Sequence, residues 1–340
     1  MKNNWKNISI KKIAELAKVG TATVDRVLHN REGVKEKTKN KILSVLNDLN
    51  GLNNNSKKKI VLCCESGQSY NNTLKYHVEK TSKKKNNNIA IESHYIPAKE
   101  FKPSIFEKII LDSYHESDGL IIVSQEDTKI ERALQKYCNL KKPVITLTTD
   151  FPSSGRTAYV GCEQSAAGAT AANLISNSLT QKKGQILMVM SMPYRCQQER
   201  ELGFKKVLRS HFPKIVIKES VYSLDTSEES YKHVKRYIRD NGPPLGIYNI
   251  SGGNIGVAEA IKDTGFQNEV VFIGHELNKN SKKLLDSDEM SYVIGHDVKL
   301  EVEKSFSLIN DFYNDKPIKS FKSSVLIYTK YNCLDYELIF

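Results

Sequence analysis

Apolar positions in the first fifty residues recur at helical spacing and predict three short helices. Their inward sets are Ile10, Ile13, Leu16 and Ala17, then Val24, Val27 and Leu28, then Ile42, Val45, Leu46 and Leu49. Ser9 stands where its hydroxyl can cap the first helix, and we expect Gly20 to take a backbone conformation that is costly for other residues. Two short helices joined by a tight turn and braced by a third are the arrangement that lays a helix in the DNA major groove.

From residue 59 onward, short apolar runs alternate with longer amphipathic stretches. The runs that predict buried strands are 60–64, 89–95, 119–123, 144–147, 185–190, 215–222, 246–250, 270–273 and 292–295. The stretches that predict helices include 71–84, 105–114, 129–137, 163–179, 197–209, 227–239, 255–264 and 300–313. This alternation is typical of parallel sheets covered by helices on both faces. The predicted fold class is α/β, with a small all-α head before two doubly wound parallel-sheet lobes.

Changes in composition set the predicted domain boundaries. Residues 1–50 form the head, 51–59 a linker rich in Asn and Lys, and 60–340 the body. Lobe one is expected at about 60–161 plus 293–319, and lobe two at about 162–292 plus 320–340, with a break near 159–164. Open parallel sheets bind ligands at the carboxyl ends of their strands, so the loops between the lobes predict a ligand cleft.

Positive charge is concentrated in the head. The first 59 residues carry a net charge of +9, whereas the remaining 281 carry only +3. Such a concentration suits the neutralisation of DNA phosphates. It argues against the alternative of a small helical cap on a larger enzyme.

Several other classes of protein find no support in the sequence. No apolar run approaches the roughly 20 residues of a membrane span, and the N-terminus lacks the apolar core of a secretory signal. The six cysteines have neither zinc spacing nor a paired framework, so we expect reduced thiols in a cytoplasmic protein. The run 251–256 has the wrong spacing for a dinucleotide fingerprint, and no catalytic motif is recognisable. We therefore expect no enzymatic activity, no cofactor and no metal site.

Two runs of the head carry a resemblance to a known family. Residues 13–20 (IAELAKVG) and 23–29 (TVDRVLH) follow the pattern IAxxAGVSxxTVSRVLN, so the head resembles the DNA-binding segment of LacI/GalR bacterial regulators. The body resembles periplasmic sugar-binding proteins, and the positions in family order are 159–161, Gly168, Arg200, 203–204, 274–276 and 296–297. The resemblance implies a homodimer that reads operator DNA. It also implies a small ligand, a sugar or related polyol, that binds in the cleft and alters DNA affinity.

The resemblance places Thr21, Ala22 and Arg26 at the outward recognition positions. Arg26 has the strongest physical claim, because its guanidinium can bind guanine bidentately or grip a phosphate. The implied DNA-backbone contacts are Ser9, Thr23, His29, Asn30 and Arg31. For any one of these residues the alternative is a solvated helix end.

The head departs from the family at two points. Asp25 stands where members usually have Ser; its carboxylate would repel phosphate, and either accepts from a cytosine amine or orients Arg26. After the third helix the family continues with a Pro-Asn-x-x-Ala-Arg-x-Leu hinge helix, but residues 52–59 read LNNNSKKK. We therefore do not expect minor-groove kinking, and operator affinity should depend more on phosphate contacts and dimerisation.

The family's order also implies ligand-binding residues. Arg200 is expected to bind sugar hydroxyls, with a surface ion pair as the alternative, and Glu276 keeps a carboxylate that accepts from hydroxyls. His296 either donates to a hydroxyl or packs in a crossover, and Asp150 either points into the cleft or caps a turn. The remaining candidates are Tyr70 and Tyr194, for stacking on a sugar face, with packing in the loops as the alternative. Ser251 and Asn254 are also candidates, where the family usually has an Asn-Asp pair. The alternative function is a solute-binding protein of a sugar uptake system.

Overall fold

A computed structural model of the chain describes residues 8–54, 57–84, 88–180 and 183–333. The chain separates into two compact units, Met1–Lys58 and Lys59–Phe340, here called the head and the body. Positions 55 and 56 of the predicted linker, and positions 334–340 of predicted lobe two, lie outside the described residues.

The described part of the head is a three-helix unit. Its helices are α1 (Ile10–Ala17), α2 (Thr21–Leu28) and α3 (Glu36–Asn54). Their apolar faces meet in one core, in which Ile13, Val24 and Ile42 are fully buried. Each such side chain contributes about 1.5–3 kcal/mol to folding, so the periodic apolar pattern suffices to hold the unit together.

The first helix and its turn differ from the sequence prediction. Leu16 is 51% exposed and Ala14 is buried instead, because the buried face of α1 centres on positions 13, 14 and 17. The left-handed residue of the turn is Lys18, at φ 51°, whereas Gly20 has an ordinary φ of −68°. The backbone N–H of Lys18 reaches back to the last turn of α1 and satisfies carbonyls that a helix end leaves free. Ser9 precedes α1 as predicted, but its hydroxyl makes no capping hydrogen bond.

The third helix is longer than the apolar pattern indicated. Its backbone continues to Asn54, four residues into the predicted linker 51–59, and the first strand of the body already begins at Lys58. Extending an existing helix is cheap, because each added residue gains a backbone hydrogen bond without a new nucleation cost.

Two six-stranded sheets form the described body, and their order is β11-β5-β4-β3-β1-β2 in the first and β12-β10-β9-β8-β6-β7 in the second. The strands are β1 (Lys58–Ser66), β2 (Ile89–Pro97), β3 (Gly119–Val123), β4 (Val144–Leu147), β5 (Ala158–Cys162), β6 (Gly184–Met190), β7 (Ile215–Tyr222), β8 (Gly246–Asn249), β9 (Val271–His275), β10 (Tyr292–Gly295), β11 (Phe321–Ser323) and β12 (Leu326–Tyr328). The helices are α4 (Gln68–Ser82), α5 (Pro103–Ser113), α6 (Thr128–Asn139), α7 (Gln164–Ser178), α8 (Arg195–His211), α9 (Ser227–Asn241), α10 (Asn254–Asp263), α11 (Lys279–Asp286) and α12 (Val298–Tyr313).

Parallel pairing dominates both sheets. Strands β1, β3, β4, β5 and β11 pair in parallel in the first sheet, as do β7, β6, β8, β9 and β10 in the second, and β12 pairs antiparallel with β10. Separate apolar clusters cover the two faces of each sheet. The predicted class, two doubly wound parallel lobes behind a helical head, is confirmed.

The described chain crosses between the sheets three times: after β5, after β10, and between β11 and β12. Strand β10 lies in the second sheet, although its residues from 293 onward were predicted in lobe one. Strand β11 lies in the first sheet, although residues from 320 onward were predicted in lobe two. The assignment of a short strand depends on its pairing partner, which an apolar pattern does not reveal.

Four elements were missed by the sequence prediction. Strand β5 occupies the predicted break between lobes, and β11 and β12 have three residues each. Helix α11 has eight residues. Segments of three residues carry too few positions for a period to emerge. The apolar residues of α11, Leu284 and Leu285, are adjacent and form no repeat.

Candidate functional site

The outward side of the head gathers the residues that the sequence indicated. Thr21, Ala22, Arg26, His29 and Arg31 are all exposed, on or just after α2. Ser9 and Asn30 are exposed as well, and Thr23 is half-buried. The opposite side of α2 is buried, so this helix presents one polar side to solvent and is free to meet a partner.

Asp25 contacts two basic side chains on this exposed side. Its Oδ2 accepts from Nη1 of Arg31 at 3.1 Å, and its Oδ1 lies 3.0 Å from Nδ1 of His29. The guanidinium of Arg26 packs over Gly33 instead, where a Cβ would come within 3.0 Å of Nη1. Gly33 has a φ of 98°, a conformation that suits glycine. The alternative in which Asp25 orients Arg26 has no contact to support it, and Asp25 holds Arg31 and His29.

A cleft lies between the carboxyl ends of the two sheets. The outer cavity, about 200 Å³, is lined by the loops after β1, β7, β8 and β9. The inner cavity, about 40 Å³, adds the loops after β3, β4 and β6. The inner cavity is far smaller than the roughly 300–1,000 Å³ of small-molecule sites, so a ligand of sugar size does not fit within it in this arrangement of the lobes.

Several direct contacts hold the lobes closed. Tyr194 of the second lobe donates from its hydroxyl to Glu65 of the first. The side-chain amide of Asn278 donates to the Ser69 hydroxyl at 2.9 Å, and the Cys196 N–H donates to Thr149 Oγ1 at 3.3 Å. On the rim, Arg195 pairs with Glu126 at 3.3 Å.

Arg200 projects from α8 and lines the inner cavity with 4% of its surface exposed. Its Nε donates to Oε1 of Gln164 at 2.7 Å, and its Nη1 donates to the Ile250 carbonyl at 3.2 Å. The structure therefore excludes the surface ion pair with a neighbouring glutamate. Glu199 pairs with Arg195, and Glu201 pairs with Lys205.

Three carboxylates face or flank the cleft. Burial raises the pKa of Glu65 to about 7, against the lowering effect of the hydrogen bond from Tyr194. Burial also raises the pKa of Asp225 and of Glu276. Asp225 and Glu276 line both cavities. Glu65 lines neither, but it accepts a hydrogen bond from Tyr194, which lines the inner cavity. The cleft therefore contains more acidic groups than the single guanidinium of Arg200 can balance.

The other predicted ligand residues have defined partners. Tyr70 lines both cavities and its hydroxyl bonds to Thr148 Oγ1. Ser251 lines the inner cavity and donates to Asn249 at 2.9 Å. Asn254 lines the outer cavity and donates to the His275 carbonyl at 2.9 Å.

Two predicted ligand residues lie away from the main cleft. His296 is buried behind Tyr70, beside a minor cavity of about 20 Å³, and its Nδ1 lies 2.9 Å from Glu301 Oε1. Asp150 binds Arg156 Nη2 at 2.6 Å, Thr146 Oγ1 at 2.9 Å and the next backbone N–H at 2.7 Å. Burial would raise the pKa of Asp150, but these donors lower it overall. Both residues thus take the packing and turn roles that the sequence left open as alternatives.

Sequence reasoning missed Glu65, Gln164 and Asp225 as site residues. Glu65 directly follows the predicted strand 60–64, at its carboxyl end, and this was an available signal. Asp225 follows the predicted strand 215–222, but the loop carries no recognisable motif, and its φ of 56° appears only in the structure. Gln164 lies at the first crossing between the sheets, where only the fold brings it to Arg200.

Among the described residues, no three His, Cys, Asp or Glu side chains are grouped so that they could hold a metal ion. No helix in this part of the chain is long and apolar enough to cross a membrane. The six cysteines are free, and five of them are buried.

Two families of known proteins match the chain. Residues 61–316 match the periplasmic binding protein domain, and residues 9–54 match the bacterial regulatory proteins of the lacI family. No curated protein matches the chain significantly.

Solved structures resemble the body. GanP, a glucose-galactose binding protein from Geobacillus stearothermophilus, is 17% identical with a TM-score of 0.74, over 82% of this chain and 99% of that chain. A solute-binding protein from Actinobacillus succinogenes with bound D-allose is 18% identical with a TM-score of 0.73, over 82% of this chain and 100% of that chain. One from Agrobacterium vitis, bound with alpha-D-tagatopyranose, is 15% identical with a TM-score of 0.74, over 83% of this chain and 98% of that chain. At these identities the likeness establishes the fold of the body.

Proposed function

Since this chain belongs to the LacI/GalR family of regulators, with a periplasmic binding protein domain as its body, we propose that it binds operator DNA under the control of a small ligand. The head provides the DNA contact, and a sugar or related polyol binds in the cleft between the lobes. The observation that carries the proposal is the presence, in one chain, of a basic head with an exposed recognition helix and a two-lobed body with a polar cleft.

In the head, Arg26 is the proposed reader of base edges, and Thr21 and Ala22 flank it on the exposed side of α2. The proposed phosphate contacts are Ser9, Thr23, His29, Asn30 and Arg31. Fixed positive charge provides most of the affinity of such a surface, and bidentate guanidinium contacts provide specificity.

In the body, Arg200, Glu276, Ser251 and Tyr70 offer hydrogen-bonding groups to hydroxyls around the inner cavity. Two of the similar solved proteins are described with bound sugars, D-allose and alpha-D-tagatopyranose. Sugars and polyols match a cleft that combines donors, acceptors and tyrosine rings. Asp150 and His296 are left out of this proposed set, because they line neither the outer nor the inner cavity.

We further propose that the regulator is a cytoplasmic homodimer and not an enzyme. Two copies would read two half-sites of a roughly palindromic operator. Sedimentation of the full chain, alone and with operator, tests this. A solute-binding protein of an uptake system remains the alternative, and the lacI-type head favours the regulator.

Selection of duplexes from a random pool by the full chain tests the DNA half of the proposal. A regulator enriches one sequence, and its affinity for that sequence falls steeply with salt. On the selected duplex, Arg26→Ala should cost about 1–3 kcal/mol of binding free energy. Arg132→Ala, on α6 of the body, is the control and should leave affinity unchanged. Failure to enrich any sequence would overturn this half.

A thermal-shift screen of sugars and polyols tests the ligand half, because a ligand that binds only the folded state stabilises it. Arg200→Ala should abolish the shift produced by the best compound. Arg209→Ala, at the exposed end of the same helix, should preserve it. If Arg200→Ala folds and binds the compound normally, Arg200 has no ligand role.

A further inference from the structure

Carboxyl groups outnumber guanidinium and ammonium groups along the cleft. Asp225 and Glu276 line both cavities, and Arg200 lines the inner one. Glu65 lies immediately behind the hydroxyl of Tyr194. Three carboxyl groups thus accompany one guanidinium.

Arg200 does little to offset the excess. Its Nε and Nη1 donate to the uncharged oxygens of Gln164 and Ile250, at 2.7 and 3.2 Å. No carboxylate oxygen of the described residues lies within ion-pairing distance of it. These two donors therefore help to hold α8 and the loop after β8 in place.

Asp225 already occupies the donors that would otherwise attract an anionic ligand. Its Oδ1 accepts from the N–H of Gly252 at 2.8 Å, just before α10, and the N–H of Gly67, just before α4, also donates to it. A Cβ on Gly67 would lie 3.1 Å from the Cβ of Asp225, so the close approach suits a glycine. Free amides at helix N-termini bind phosphates and carboxylates, and here an internal carboxylate takes that place.

Glu276 differs from the other two carboxylates, because no hydrogen bond or ion pair from the described residues reaches its side chain. It lines the outer, inner and minor cavities. Its φ is 69°, a conformation that non-glycine residues rarely adopt. Two hydrogen bonds hold this backbone: the N–H of Glu276 donates to the carbonyl of Ile294, and the Ser281 hydroxyl donates to the carbonyl of Glu276. The fold thus fixes an unpaired carboxylate at the centre of the cleft.

We propose that the effector carries a protonated amine beside its hydroxyls, as an amino sugar does, and that Glu276 is the specificity-determining residue that pairs with it. This inference rests on the proposed function of the cleft. An ammonium beside Glu276 favours the ionised form of its carboxylate, which burial alone disfavours, while Arg200, Tyr70 and Ser251 remain for the hydroxyls. A sugar phosphate would meet Asp225 and Glu276 with the nearby helix amides already occupied, so the cleft disfavours it.

Matched sugars distinguish the charge of the effector from its shape. The full chain is screened by thermal shift and calorimetry with glucosamine, galactosamine and mannosamine. Each is compared with its parent hexose, its N-acetyl derivative and the 6-phosphate of the parent. We expect one amino sugar to bind at least about tenfold more tightly than its three uncharged or anionic counterparts, as a charge-assisted hydrogen bond implies.

The Glu276→Gln variant tests the residue itself. It keeps the shape of the side chain and should lose about ten- to a hundredfold in affinity for the amino sugar, with little change for the parent hexose. Glu269→Gln is the matched control, because Glu269 is exposed and precedes the same strand, β9, that Glu276 follows. Unfolding curves of both variants establish that they fold.

The outcomes separate the inference from the proposed function. If a parent hexose or its phosphate binds as tightly as the amine, or if Glu276→Gln keeps the preference for the amine, the inference is overturned and the regulator proposal stands. If no compound of the panel binds, the inference also falls. If no operator can be selected, the proposed function itself fails, whatever the sugars do.

Discussion

The Nε of Arg200 donates to Oε1 of Gln164 across 2.7 Å, and this bond joins the ligand cleft to the first crossing between the two sheets. The side-chain amide of Gln164 in turn donates to the Thr148 carbonyl of the first lobe at 2.8 Å. A ligand that engages Arg200 therefore acts on a residue that both lobes share. This chain of contacts offers a physical route from ligand binding to a change in lobe closure.

Gln164→Ala should destabilise the body by about 1–3 kcal/mol, because it leaves the buried Nε of Arg200 without an acceptor. Urea unfolding followed by circular dichroism measures the change. Gln135→Ala, which removes an exposed glutamine from α6, is the control and should change stability by less than about 0.5 kcal/mol. Equal effects of the two substitutions would show that the Arg200–Gln164 bond is unimportant.

Glu301→Ala should cost about 3–5 kcal/mol, because it leaves His296 and Ser323 buried without their shared acceptor. Glu301 is fully buried, and its Oε1 lies 2.9 Å from His296 Nδ1 and 2.5 Å from Ser323 Oγ. Thermal and urea unfolding measure the loss. The control is Glu303→Ala, on the same helix α12 as Glu301. It breaks a partly exposed ion pair with Lys84 and should cost at most about 1 kcal/mol. A small effect at Glu301 would contradict the structural role.

The pKa of Glu65, raised by burial from 4.5 to about 7, predicts a pH dependence. Between these values the folded protein binds more protons at this site than the unfolded chain. The stabilising contribution is therefore complete below pH 4.5 and is lost as pH rises through 7. Between pH 4.5 and 7, the free energy of unfolding of the wild type should fall by about 2–3 kcal/mol relative to that of Glu65→Gln. Glu259→Gln, at an exposed position of α10, should keep the wild-type dependence, and a parallel profile for Glu65→Gln would refute the assignment.

Asp25→Ser should strengthen DNA binding, because it removes a negative charge from the exposed side of α2 and releases Arg31 to phosphate. The slope of the logarithm of affinity against the logarithm of salt concentration should become more negative by about one unit. Fluorescence anisotropy on the selected duplex measures both. Glu36→Ser removes an equal charge from the start of α3, where the side chain is 74% exposed. If Glu36→Ser strengthens DNA binding as much as Asp25→Ser does, the gain in affinity reflects net charge and not the Asp25–Arg31 contact.

The elements that the sequence predicted well are those with regular apolar patterns. Strand 119–123 begins and ends where its pattern does, and Val24, Val27 and Leu28 are the buried residues of helix α2 as predicted, because burial of one face fixes the phase of a helix or strand. Strands β11 and β12 escaped because three residues carry no period. The exposed residues of α2 were also accessible to sequence reasoning, since an outward position follows from the inward ones.

The sequence by itself determined the basic three-helix head, the alternation of strands and helices, and the family to which the chain belongs. These follow from local periodicity, charge and contiguous motifs. Only the tertiary structure decided that Glu65, Gln164 and Asp225 belong to the cleft, that Asp150 and His296 are held by partners of their own, and that the carboxylate of Glu276 stands unpaired. Such relations join residues that are distant along the chain, and their burial and partners are set by how the strands order within two sheets, which no local pattern encodes.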